Sequence, residues 1–88
     1  KMNQMNLNEI MKEVKQIIEI KTEKKDFSYD DLLLENGIDS VSIIEIIVEI
    51  EEKYGIEFDN TKLNYNLLRS IRSISQYLES IINEGSSL

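Results

Sequence analysis

The chain of 88 residues contains no proline and only three glycines, and this scarcity of turn-forming residues constrains its fold more than any other feature. Hairpins and tight turns draw on glycine for positive φ and on proline for a preset φ, so a β-sandwich or barrel is disfavoured. Helices joined by a few irregular segments remain. A chain this short buries about 60–65% of its unfolded surface, which allows one small domain with a modest core. Hydrophobic residues at 41% suffice for that core, and charged residues at 31% supply a solvated surface.

Cysteine and histidine are both absent. That removes disulfides, thiolate or imidazole metal sites, and catalytic arrangements built on either residue. The net charge of −7 repels phosphate backbones, which argues against nucleic acid as a partner. The most apolar stretch, Val41 to Ile50, is broken by Glu45 and Glu49 and is far shorter than a membrane span. No apolar secretory leader is evident. The expectation is a cytoplasmic protein with no metal site and no membrane segment, acting by being bound or modified.

Leu7, Ile10, Met11, Val14, Ile17 and Ile18 recur at helical spacing, within an arc of roughly 120° at about 100° per residue. Asn6 followed by Glu9 gives an Asn-capped capping box, so a first helix is predicted from there to about Thr22. Periodicity fails from Glu23 to Asp39, which reads as a long loop holding one helical turn at Asp31 to Leu34, stopped by Asn36-Gly37. Loops of this length inside a small domain are uncommon and often functional. A second helix follows through Tyr54, ended by Gly55, with Ile56-Glu57-Phe58 extended and an irregular stretch after Asp59. Asn64 caps a short helix at Tyr65 to Leu68. Ser70 caps a last one, in which Ile71, Ile74, Leu78, Ile81 and Ile82 share a face. The prediction is an all-α four-helix bundle, three longer helices plus a short one, with the long loop between helices 1 and 2. The chain is read as a single domain over residues 1–88, its core about 7–82 and its ends flexible at 1–5 and 84–88.

The segment Gly37-Ile38-Asp39-Ser40-Val41 leads into an acidic, Ile-rich helix closing at Glu52-Lys53-Tyr54-Gly55-Ile56-Glu57-Phe58. An Asp-Ser pair before a helix is ordinarily just a cap. The wider pattern, together with Leu68-Arg69-Ser70-Ile71, resembles the phosphopantetheine-dependent acyl and peptidyl carrier proteins over about Leu7 to Ile82. The resemblance implies that Ser40 carries a covalent 4′-phosphopantetheine arm taken from coenzyme A, with Asp39 and Gly37 beside it. It implies a phosphopantetheinyl transferase as partner, then acyl- or aminoacyl-loading and processing enzymes with basic docking patches. The arm's thiol holds cargo as a thioester, a group this cysteine-free chain lacks. The physics agrees: a helix N-terminus favours a phosphate, and a serine without a base is not a catalytic nucleophile. Gly37 fits a loop stop or room for an incoming enzyme.

Residues 39 to 59 hold seven acids (Asp39, Glu45, Glu49, Glu51, Glu52, Glu57, Asp59) against Lys53 alone, a local charge of −6 in a chain of −7. Glu45, Glu49 and Glu52 fall within roughly 60° on the helical wheel, with Val41 and Val48 beside them and Ile43, Ile47, Ile50 and Tyr54 opposite. Apolar residues next to an acidic stripe form a docking surface, and the resemblance assigns it to partner enzymes. Glu51 falls towards the apolar arc. Ile43, Ile44, Ile47, Ile50, Ile71 and Ile74 are stiff β-branched side chains expected to fill the interior, leaving little room for a long acyl chain.

Two sharper readings fail. Asp59-Asn60-Thr61-Lys62-Leu63-Asn64 begins like a calcium loop but has Asn64 where glycine is needed and Ser70 where glutamate is needed. The acidic clusters lie on a helix face with no cleft, so the chain is not read as an enzyme. Fatty-acid carriers typically show aspartate two residues after the serine, where this chain has Ser42, and acids before the last helix, where it has Lys62, Arg69 and Arg72. These departures lean towards a discrete, monomeric carrier in secondary metabolism, polyketide or nonribosomal-peptide. The alternatives are a primary fatty-acid carrier and an unmodified acidic helical adaptor.

Overall fold

Asn6 opens the first helix, α1 (Leu7–Thr22), by accepting from the Glu9 N–H at 2.9 Å, while the Glu9 carboxylate accepts from the Asn6 N–H at 3.2 Å. This reciprocal cap satisfies two donors that a helix start leaves orphaned. The computed structural model describes the backbone of residues 5–86 and the side chains of residues 5–83. α1 buries Ile10, Met11, Val14 and Ile18 and ends at Glu23 in the left-handed conformation.

Residues 23–39 contain one turn of 3-10 helix at Leu34–Asn36, three residues later than the turn expected at Asp31 to Leu34. Burial decides the shift. Leu33 is fully buried and donates its N–H to the Arg69 carbonyl at 2.8 Å, which spends the backbone that an earlier turn would need. Gly37 closes the turn at φ 88, a conformation that costs glycine little and other residues more. Phe27, Leu33 and Ile38 anchor the whole segment in the core.

The second helix, α2 (Ser40–Tyr54), is capped by Asp39, closed by Gly55 at φ 66, and buries Ile43, Ile46, Ile47 and Ile50. Ile44, expected in the interior, lies on the surface, and Ile46 takes the interior place. At about 100° per residue Ile44 falls about 60° outside the arc bounded by Ile46 and Ile47. Beyond Gly55, Phe58 is buried and stacks on the Tyr77 ring, centroids 5.4 Å apart. A 3-10 turn at Asn60–Lys62, capped by Asp59, occupies a stretch expected to be irregular. Asn64 caps the short α3 (Tyr65–Leu68) through the Leu67 N–H.

The last helix, α4 (Ile71–Ser86), is capped as expected by Ser70, whose Oγ accepts from the Ser73 N–H at 3.2 Å. It runs on through Gly85 and Ser86, where a flexible end was expected, because each added residue of a formed helix gains a backbone bond. At the other end Met5 packs against the core. The remaining expected flexible positions, 1–4 and 87–88, lie outside the described residues. α1 packs on both α2 and α4, and α3 packs on α4. Among the described residues the architecture is the expected four-helix bundle, three helices long and one short, without strands. No helix among them is long and apolar enough to cross a membrane.

Candidate functional site

Ser40 is the first residue of α2 and is exposed. Asp39 holds the helix start: its Oδ1 accepts from the Ser42 N–H at 2.8 Å, and its carbonyl accepts from the Ile43 N–H at 3.1 Å. The Ser42 N–H, aided by the Ser42 side chain and the Val41 N–H, keeps the Asp39 carboxyl below the usual carboxylate range. Asp39 is thereby committed to the cap. Neither the Ser40 hydroxyl nor the Ser40 N–H has a partner among the described residues, so part of the helix's positive end is left for a group placed on Ser40.

No base touches that hydroxyl, so its chemistry must come from another protein. Beside it lies an apolar groove of about 240 Å³ lined by Leu34, Ser40, Ile43, Ile44, Tyr65 and Leu68. Its walls come from the 3-10 turn, from α2 and from α3. It opens to solvent, and the exposed Ile44 forms part of its wall instead of filling the interior. A larger depression of about 470 Å³ runs along α1 between charged side chains such as Lys12, Glu13 and Glu19, with Tyr29 at its edge, and lies away from Ser40.

Val41, Ile44 and Val48 are 68%, 56% and 46% exposed and form one apolar stripe along α2. The expected docking residues Val41, Glu45, Val48, Glu49 and Glu52 all lie on the surface. Ile44 belongs with them, and sequence reasoning missed it although the helical wheel places it about 40° from Val48. Leu34 and Tyr65 are also exposed and extend the apolar patch across the groove; their place in it depends on the loop's path. Two acids are already engaged. Lys21 Nζ pairs with Glu49 Oε1 at 3.3 Å, and Glu51 Oε2 accepts from the Phe58 N–H at 2.8 Å. A Cβ at Gly37 would meet only the flexible end of Lys24, at 3.1 Å, so the positive φ is what requires glycine there.

These features, an exposed serine at a capped helix start with no base and an apolar groove beside it, suit a covalently attached phosphate ester with an extended arm. Residues 8–78 match the family described as the phosphopantetheine attachment site, and the chain belongs to that family. It is therefore a carrier of covalently attached 4′-phosphopantetheine rather than an enzyme, serving a phosphopantetheinyl transferase and biosynthetic enzymes. The solved structure of the HMG-ACPI domain from the CurA module of Lyngbya majuscula is similar, with a TM-score of 0.81 at 25% identity, covering 98% of this chain and 87% of that one. No curated protein matches the chain.

Proposed function

We propose that Ser40 Oγ is the attachment point of the 4′-phosphopantetheine arm, and that the carrier unit spans about residues 7–82. The observation that carries this is the exposed, baseless Ser40 at the first position of a helix already capped by Asp39. Asp39 fixes the helix end so that the hydroxyl is held in one place, and the free end of the helix favours the ester's negative charge. When bound, the arm supplies a thiol that holds an acyl or aminoacyl group as a thioester. Leu34, Ile44, Tyr65 and Leu68 give the arm's root an apolar wall.

The family assignment sets aside the unmodified adaptor. Within the carrier class we read the chain as a monomeric, cytoplasmic carrier in secondary-metabolite biosynthesis, polyketide or nonribosomal-peptide. Ser42 and the cations Lys62, Arg69 and Arg72 support the pathway, as does the likeness to a domain that is part of a module. Val41, Glu45, Val48, Glu49 and Glu52, now with Ile44, form the surface offered to the basic patches of partner enzymes. Gly37 contributes by delivering the chain to Asp39 rather than by contact.

Incubation with coenzyme A and a broad-specificity transferase tests the attachment. Wild type should gain the mass of one arm, and Ser40→Ala should gain none while keeping its helicity, since Asp39 still caps α2. Tandem mass spectrometry placing the arm on Ser42 would overturn the assignment. A large rise in thermal stability on loading an octanoyl group would favour the fatty-acid alternative, because it would mean deep burial of the chain.

A further inference from the structure

Residues 23–39 form a long connector with little helix, yet its path to Ser40 is fastened at several points. The Arg72 guanidinium donates to both carboxylate oxygens of Asp30, from Nε at 2.7 Å and from Nη2 at 3.2 Å. The Arg72 N–H donates to the Tyr29 carbonyl at 3.0 Å, and the Leu33 N–H donates to the Arg69 carbonyl at 2.8 Å. The Ile38 N–H then donates to the Leu33 carbonyl at 3.1 Å, two residues before Ser40. Leu33 and Ile38 are buried, so the run from Asp30 to Ser40 follows the α3–α4 junction. Leu34 and Leu68, the sequence neighbours of Leu33 and Arg69, are walls of the groove beside Ser40.

We propose that the Asp30–Arg72 pair is a positioning device for the surface that surrounds Ser40. It locks the loop that delivers the serine onto the α3–α4 junction, so that loop, serine and α3 meet a modifying transferase as one surface. This rests on Ser40 being the attachment point. Both side chains are substantially exposed, so the pair is worth little as stability. Its two-pronged geometry, however, fixes direction as a single ammonium would not. The Ser40 hydroxyl itself is held by the α2 cap, independently of the pair. Loss of the pair therefore weakens recognition of the surface and leaves the transfer step intact.

The experiment is arm transfer from coenzyme A by a broad-specificity phosphopantetheinyl transferase, read by intact mass. The substrates are wild type, Asp30→Ala, Arg72→Ala, and the exchanged pair Asp30→Arg with Arg72→Asp. Both single variants should raise KM, by up to about fivefold given the worth of an exposed ion pair, with kcat unchanged. The exchanged pair should recover part of the loss. Residues of opposite charge that touched the transferase directly would shift KM in opposite directions, so shifts in the same direction mark a pair acting through each other. Tyr54→Phe, which removes a bond at the far end of α2, controls for lost stability and should leave KM alone. Equal KM for wild type and both single variants, or opposite shifts, overturns the pair's role and leaves Ser40 standing. A wild-type protein that gains no arm on Ser40 removes the attachment reading and this inference with it.

Discussion

The two ends of α2 are built for opposite purposes. At the N-terminal half Ser40, Val41, Ile44 and Glu45 face solvent, while the Asp39 cap and the buried Ile43 hold the opposite side. At the C-terminal half the Tyr54 hydroxyl donates to a Glu13 carboxylate oxygen, Lys21 pairs with Glu49, and Glu51 accepts from the Phe58 N–H. Phe58 then folds back under the helix end and stacks on Tyr77. The docking face runs along both halves, as far as Glu52, but only the C-terminal half also carries the bonds that keep the bundle closed, and substitutions at Ser40's end and at those bonds should separate accordingly.

The strongest test is Phe58→Ala, expected to cost about 3–5 kcal/mol out of a total of about 5–15 kcal/mol for a small domain. Urea denaturation measures it. The folded variant should still accept the arm at the wild-type rate; a fall in that rate would break the division between the ends. Tyr54→Phe should cost about 0.5–1.5 kcal/mol, the net worth of one hydrogen bond, again with arm transfer unchanged.

Asp39→Ala probes the open end. Because the Ser42 N–H depresses the Asp39 pKa, the carboxylate's contribution is present above the unfolded carboxylate pKa and is lost as pH falls through the lower folded one. Melting temperature against pH should therefore show the variant less stable near neutrality and converging on wild type in acid. A constant gap across the acid range would mean that the charge of Asp39 is not what caps α2.

Glu45→Lys with Glu49→Lys should move stability least, within about 0.5 kcal/mol. The i, i+4 positions stay like-charged, now both cationic, and a new i, i+3 attraction to Glu52 offsets part of the loss of the Lys21 pair. Association with the transferase should nevertheless slow about tenfold at low salt, and the difference should shrink as salt screens the encounter. Equal rates at low salt would reduce the acidic stripe to ordinary solvation.

Most of the helix boundaries were legible because their signals are local. Asn6 with Glu9, Asp39, Gly55 and Asn64 each act within four residues of themselves, and each performs as its type predicts. The position of the first 3-10 turn was not legible, since it follows from a bond between Leu33 and Arg69, thirty-six positions apart. The side of α2 to which Ile44 belongs could have been read from its angle. An isoleucine, however, invites an interior assignment by type, and here the exposed face of a docking helix is itself partly apolar. The groove beside Ser40 was hidden for the same reason, because two of its walls, Leu34 and Tyr65, come from segments whose approach to α2 no local pattern encodes.

The bond between Tyr54 and Glu13 makes the bundle a reporter of its own closure. The chain has four tyrosines and no tryptophan, so phenol absorbance is its dominant near-ultraviolet signal. Burial, and then the Glu13 carboxylate, hold the Tyr54 phenol well above the ordinary tyrosine range. The stability linked to that shift is complete below the ordinary phenol pKa and drains away as pH climbs towards the raised one. Tyr54 therefore ionises with difficulty while it holds Glu13, and the part of the alkaline absorbance change that Tyr54→Phe removes reports that contact between α1 and α2 without any attached label.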